Sequence, residues 1–284
     1  MSIDKNNYPN VVWGAVVYPG AKVYLKEYID AIASQTDSTF KILVINDGLT
    51  AKDVLENFGR TKKEISVVNA NEEGNPVSNR IQLLEEAKRM EADILIIGDC
   101  DDTFSTNRVE KVKSAMKDSP ETAFFYNEIA GMNGEAIMPA LPQITKTVED
   151  ISSYNYLGMS NTALVLKRLD LEFINSLKEC KSLIFDWYLH SRILLEGLTG
   201  KKLDNVYTYY RTYDSNTVGI RTDTYENRCK EIEVKKAHYL LLKRYDTRFN
   251  DLLNRCEKID CNRIKSAKSE NDLHFWWDLI NLED

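Results

Sequence analysis

Ile94-Leu-Ile-Ile-Gly-Asp-Cys-Asp-Asp102 is a run of four apolar residues that ends, after one glycine, in three carboxylates. A short, uniformly apolar run reads as a strand buried on both faces, which is how a parallel sheet with helices on either side treats its inner strands. Side chains alternate along an extended chain, so Asp99 and Asp101 are expected to point one way and Asp102 the other. Two carboxylates together make a hard, oxygen-rich site that suits Mg2+ or Mn2+ better than zinc. In open α/β sheets, ligands bind outside the carboxyl ends of the strands. The alternative is that the acids merely close a strand before a helix capped by Ser105 or Thr106.

The residues before this stretch alternate between strand and helix. Val11–Val17 reads as a first strand, and Tyr18-Pro-Gly20 as a turn. Leu25, Ile29 and Ile32 recur at helical spacing. Lys41–Ile45 is a second buried strand ending in Asn46-Asp47-Gly48, and Ile65–Val68 is a third. Asn71–Pro76 is a loop by composition, and a helix from about Val77 to Met90 leads into Ile94. Strands and helices in strict alternation call for a doubly wound, mostly parallel sheet.

After the acids, Val109, Val112 and Met116 mark a helix and Ala123–Tyr126 a strand. Gly131 to Ser160 is looser, interrupted by Pro139 and Pro142, and loops this long are usually lids or binding segments. Thr162–Leu166 and Val206–Tyr210 read as strands, and Phe185–Glu196 as an amphipathic helix with Leu189, Ile193 and Leu194 on one face. Leu242, Tyr245, Phe249, Leu252, Cys256 and Ile259 step by three or four, the mark of one long amphipathic helix. The change in composition near Glu226 divides the chain into a domain over residues 1–225 and a helical extension over 226–284.

With 37 Lys and Arg against 44 Asp and Glu, the chain is mildly acidic, which argues against nucleic acid as a partner. Five cysteines without a Cys-x-x-Cys pair, and an N-terminus lacking a signal-peptide pattern, lead to the expectation of a cytoplasmic protein. The stretch from Glu226 to Lys268 is locally basic, with 12 Lys and Arg to 7 Asp and Glu. It reads as a packed helix with solvated charges, or as a peripheral membrane contact beside a lipid-linked acceptor.

The order of motifs resembles family-2-type nucleotide-sugar glycosyltransferases of the GT-A fold, over roughly residues 11 to 220. Val16-Val-Tyr18 stands at the family's first strand-end turn, Ile45-Asn-Asp-Gly-Leu-Thr50 at its Val-Asp-Asp-Gly-Ser-Thr, and Val77-Ser-Asn-Arg80 at its Ala-Arg-Asn helix start. Asp99, Asp101 and Asp102 match its metal motif, and Phe185-Asp-Trp-Tyr-Leu189 with Arg192 and Gly197 echoes its Glu-Asp-x-x-Leu helix. Asn46, Ser78, Phe185 and Tyr213 depart from the pattern, standing where the family has Asp, Arg, Glu and His. Gln-x-x-Arg-Trp is missing, which sets the chain apart from processive polysaccharide synthases.

The resemblance implies an α/β fold of GT-A type, a doubly wound and mostly parallel sheet flanked by helices, with a C-terminal helical extension. It implies a metal-dependent inverting transferase of the hexosyltransferase type, moving sugar from a nucleotide-sugar donor (UDP by default) to a glycan or lipid-linked acceptor in surface polysaccharide synthesis. Tyr18, Asp47, Asn79, Arg80, Asp99 and Asp101 would hold the donor, Asp101 and Asp99 the Mn2+ or Mg2+, and Asp186 would be the catalytic base. On chemistry alone, Asp47 serves equally as an Asx turn and Asp186 as a first-turn acid stabilising its helix. Tyr154, Tyr156 and Trp187 are candidates to stack on an acceptor sugar, or core residues. His190, His238 and His274 lack a metal-like partner and read as structural or solvent-facing. Two other readings remain: a degenerate relative that binds sugar without turnover, and a haloacid-dehalogenase-like phosphatase using Asp99 and Asp101.

Overall fold

The computed structural model describes residues 9–180, 184–212, 224–260, 272–280 and 282. Its core is a nine-stranded mixed sheet. Four strands, β1 (Val11–Val17), β2 (Lys41–Asn46), β3 (Ile65–Asn69) and β4 (Ile94–Ile97), run parallel in the order β3-β2-β1-β4. Helices α1 (Leu25–Ala33), α2 (Ala51–Phe58) and α3 (Pro76–Arg89) make the crossovers between them, as the alternation predicts. Beyond β4 the sheet becomes mixed. β8 (Thr162–Val165) pairs antiparallel with both β4 and β6 (Phe124–Gly131), β6 runs parallel to β9 (Gly200–Tyr210), and the two-residue strands β5 (Thr103–Phe104) and β7 (Ile144–Thr145) pair with β9.

Period-two alternation splits the apolar strands cleanly between two cores. Leu95 and Ile97 of β4 face a cluster that takes in α3, α5 (Leu171–Ser176) and α6 (Phe185–Leu195), while Ile94 and Ile96 face the one containing α1, α2 and α4 (Arg108–Asp118). The helix ends follow local chemistry. Thr50 caps α2 through Asp53 N, and Asn75 caps α3 through Ser78 N with Pro76 in the first turn.

Four expectations about local structure change. The stretch from 131 to 160 is a packed strap: Leu141, Val148, Ile151, Tyr156, Leu157 and Met159 are all buried, and Thr147 and Asp150 form a capping box. Its polar atoms are satisfied inside, where the Thr145 hydroxyl meets the Tyr126 and Tyr156 hydroxyls at 2.9 and 2.8 Å. The long C-terminal helix is two, α7 (Tyr225–Leu242) and α8 (Arg248–Lys258). The apolar seam continues across the break, but the Asp246 carboxylate accepts Arg248 N at 2.9 Å and starts a new helix there. Neither Ser105 nor Thr106 caps α4: the Ser105 hydroxyl accepts Tyr207 N, and Asn107 occupies the cap position.

Helix α6 is buried on almost every side rather than on one face, because α7 and the Val148–Ile151 turn of the strap pack against it. Among the described residues, no helix is long and apolar enough to cross a membrane. Cys100, Cys180, Cys229 and Cys256 are free thiols, whereas Cys261 and Tyr213 lie outside the described residues.

Candidate active site

The carboxyl ends of β1, β2 and β4 lie side by side, since Val17 pairs with Asn46 and Gly14 with Ile97. Tyr18, Asp47 and Asp99 therefore emerge along one edge of the sheet. At the end of β4 two fully buried donors claim successive carbonyls: Arg108 Nη2 donates to Ile97 O at 3.0 Å, and the Tyr28 hydroxyl to Gly98 O at 3.1 Å. Gly98 is required there, because a Cβ would lie 2.8 Å from the Phe104 ring and 3.0 Å from Trp13 Nε1.

The acids themselves do not continue the strand. Asp102 N donates to Asp99 O at 3.1 Å, closing a turn over Asp99-Cys-Asp-Asp102. Strict alternation thus ends at Ile97, so the acids are arranged by this turn rather than by strand periodicity, with Asp102 buried and Asp99 and Asp101 partly exposed. The turn is held from outside. Asp99 N donates to the Ser160 hydroxyl (3.2 Å), Arg211 N to Asp102 Oδ1 (3.0 Å), and Arg211 Nε to the Asp101 carbonyl (2.9 Å). Arg211 also bonds Glu27 and stacks over Tyr24 at 4.6 Å.

Arg80, from the second turn of α3, reaches Asp99 Oδ1 at 3.6 Å. Asp186, in the first turn of α6, shares this neighbourhood: burial pushes its pKa up to about 6, opposed chiefly by the Arg80 charge and by Trp187 N, which donates to its Oδ1 at 2.8 Å. The nearby Asp99 charge adds to the rise. Asp99 is itself raised by burial, with Arg80 opposing. Asp102, fully buried, is held well above the ordinary range by burial and then by the Asp101 and Asp99 charges. Its Oδ2 finds no hydrogen-bond partner among the described residues. Beneath the turn, buried Arg108 is pulled down to about 9 by desolvation and remains a cation at neutral pH.

The other expected donor residues fall as follows. Asp47 Oδ1 accepts Gly74 N at 2.8 Å and ties the loop after β2 to the loop before α3. The Asx turn belongs to Asn46, whose side chain accepts Leu49 N and donates to Leu49 O, both at 2.9 Å. Tyr18 stands half exposed after β1, and its carbonyl accepts Ala21 N. Asn79 is fully buried, and neither atom of its amide has a partner among the described residues. Trp187 and Tyr156 are core, Trp187 lying against His238 with ring centres 4.0 Å apart. His190 and His238 are buried and neutral, pulled down to about 4 and about 3 by desolvation, and His274 pairs with Asp278. Ser160, Arg108 and Arg211 were missed from sequence. Only Arg211 carried a signal, as the charged residue directly after a strand.

Among the described residues, no three His, Cys, Asp or Glu side chains form a metal-binding group. That fits an ion held by one or two carboxylates with the remainder of its shell from substrate phosphate and water, the usual arrangement for Mg2+ and similar ions. A turn in which neighbouring carboxylates raise one another, with a buried carboxylate oxygen left unpartnered, also fits a cation.

Residues 16–157 match the description "Glycosyl transferase family 2". Among solved structures, S. aureus TarS residues 1–349 in complex with UDP-GlcNAc is similar with a TM-score of 0.63 at 16% identity, over 86% of this chain and 70% of that one. The mannosyltransferase PcManGT from Pyrobaculum calidifontis, in complex with GDP-Man and Mn2+, gives 0.53 at 13% identity, over 85% and 66%. GalNAc-T7 with UDP, GalNAc and Mn2+ gives 0.63 at 11% identity, over 88% of this chain and 51% of that one. At these identities the likeness is one of fold, the GT-A fold. A search of curated proteins finds no match.

Proposed function

Because the chain belongs to glycosyl transferase family 2 and is a glycosyltransferase, we propose that it moves a sugar from a nucleotide-sugar donor to an acceptor hydroxyl with inversion at the anomeric carbon. The juxtaposition of Arg80, Asp99 and Asp186 at the carboxyl edge of the parallel strands carries this reading. Three charged groups from three separate elements meet where the fold places ligands. Residues 1–225 would form the transferase domain and 226–284 its extension.

In such a transfer the acceptor oxygen forms a bond to the anomeric carbon as the bond to the diphosphate breaks, through an oxocarbenium-like state. The acceptor proton goes to Asp186, whose pKa of about 6 leaves it ionised above that value yet more basic than an ordinary carboxylate. Asp101 and Asp99 would hold Mn2+ or Mg2+, which when bound supplies charge neutralisation to the leaving diphosphate. Arg80 offers the same pyrophosphate a fixed guanidinium and restrains Asp99. Tyr18 and Asp47, following β1 and β2, would hold the nucleoside of a UDP-sugar, Asp47 also keeping Gly74 in place with one oxygen. Asn79, buried in the first turn of α3 beside Arg80 with its amide unpartnered among the described residues, would be the remaining donor-side polar group. The acceptor is proposed to be a glycan or lipid-linked sugar in surface polysaccharide assembly, met by a cytoplasmic protein at the membrane face.

Phe185 and Ser78, which stand where the family has Glu and Arg, support the second reading of binding without turnover. The phosphatase alternative falls with the family match. A thermal-shift panel of nucleotide sugars with and without Mn2+, run beside a donor-hydrolysis assay, tests both. Metal-dependent stabilisation with hydrolysis supports transfer. Stabilisation without release of nucleoside diphosphate supports binding alone, and no response to any nucleotide sugar removes both.

A further inference from the structure

Trp276 sits far from the acid turn in sequence and close to it in the fold. Its backbone exchanges two hydrogen bonds with Asn155, at 2.8 and 2.9 Å. Its ring lies on Gly158 so closely that a Cβ there would come within 2.7 Å of Cη2. The ring also meets Tyr210 edge to face, with centres 6.2 Å apart and planes at 61°. Each neighbour leads directly to the site. Gly158 N is held by Asn161, in the same loop as Ser160, whose hydroxyl accepts Asp99 N. Tyr210 precedes Arg211, whose backbone N–H holds Asp102.

The segment carrying this ring is fastened by its own devices. Phe275 stacks on Tyr154 at 5.0 Å, and Asp278 accepts Phe275 N. A buried ion pair on α7, Glu231 with Lys235, clamps the following backbone: Glu231 accepts Leu279 N and Ile280 N, and Lys235 donates to Ile280 O at 2.7 Å. Trp277 takes a φ of +66°, strained for a bulky side chain, and is buried, while the preceding Trp276 is only partly buried. The backbone on both sides of Trp276 is thus fixed, while its ring stays partly accessible.

In the transferase reading the nucleoside diphosphate would lie on the β2-β1-β4 side, which leaves the β8-β6-β9 side, where Tyr210 and the loop 158–161 stand, to the attacking hydroxyl. We propose that Trp276, with Tyr210 at its edge, is the stacking platform for the apolar face of an acceptor pyranose. A flat aromatic face fits the C–H face of a sugar and fixes which hydroxyl is presented. This inference rests on the transferase reading of the site.

Saturation-transfer NMR with the methyl glycosides of glucose, galactose, N-acetylglucosamine and mannose, in the presence of UDP, tests it. On the wild-type protein at least one glycoside should receive saturation at its ring C–H protons. Trp276→Ala and Trp276→Leu should weaken that binding by about tenfold, while Trp276→Phe holds it within about threefold. UDP binding and donor hydrolysis should remain within about twofold in every variant that keeps its near-ultraviolet circular dichroism. Trp276→Leu, which keeps apolar bulk without a ring face, preserves the test if Trp276→Ala does not fold. Unchanged glycoside binding in Trp276→Leu, no glycoside signal on the wild type, or parallel loss of UDP binding would overturn the platform. A Trp276-dependent glycoside signal from a protein that binds no nucleotide sugar would leave the platform standing and overturn the transferase reading instead.

Discussion

Arg211 N donates to Asp102 Oδ1 at 3.0 Å, joining the end of β9 to the acid turn across 109 residues of sequence. Its guanidinium adds a second tie to the Asp101 carbonyl. Arg211→Ala keeps the backbone bond and removes the second, so the turn should survive but loosen. We expect a stability loss of about 1–2 kcal/mol in chemical denaturation, with a smaller Mn2+-dependent thermal shift than the wild type. A full metal response in this variant would show that the turn does not need the tie.

Asp186→Asn should lower transfer by at least about a hundredfold while leaving nucleotide-sugar binding intact, because a base contributes to proton removal and not to donor affinity. In the wild type, kcat should fall about tenfold per pH unit below a midpoint near 6, where Asp186 becomes protonated. Stability runs the other way. The folded pKa of about 6 lies above the ordinary 3.8, so the folded chain binds this proton more tightly. The cost of burying the charge is present above pH 6 and is relieved as the pH falls toward 4. A rate profile flat through pH 6 in the wild type would remove Asp186 from the base role.

Asp101→Asn should abolish the Mn2+-dependent part of donor stabilisation while retaining a metal-independent part from the nucleoside. Asp99→Asn should weaken both, since Asp99 also holds Arg80 at 3.6 Å. Calorimetric titration of UDP with and without Mn2+ separates the two, and equal effects from both substitutions would count against the division of labour.

Arg108→Met removes a fully buried cation that donates to Ile97 O and Thr162 O and lies over the Phe104 ring. Asp102 and Asp99 would lose a buried counter-charge. A loss of about 3–5 kcal/mol is expected, read as a large drop in melting temperature, and Arg108→Lys should recover part of it.

Asn46→Asp restores the residue usual in the family and should nevertheless destabilise the protein. The Asn46 amide donates to Leu49 O at 2.9 Å and lies 3.2 Å from Asn69 Oδ1, and a carboxylate would face both acceptors with nothing to donate. About 1–3 kcal/mol is expected in a denaturation titration near neutral pH.

Much of the α/β architecture was legible because each signal is local. The apolar run Val11–Val17 coincides with β1, and the sequence patterns of β2, β3, β4, α3 and α6 match their elements to within a residue or so. Buried strands are apolar throughout, and helices repeat at their own period. The two-residue strands β5 and β7 left no trace, because so short a segment has no period and exists only through its partner β9. The strap from 131 to 160 looked like an open loop because its hydrophobic residues follow no single period while still facing inward.

By itself the sequence determined the parallel half of the sheet, the acids placed at its carboxyl edge, and the family pattern those acids belong to. These rest on spacing between neighbours in the chain. Only the tertiary structure decided that Arg80 meets Asp99, that Asp186 is buried deeply enough beside them to be raised to about 6, that Arg211 holds the turn, and that Trp276 returns to its rim. Such relationships depend on distance and burial between residues far apart in the chain, and no local pattern of residue types records those quantities.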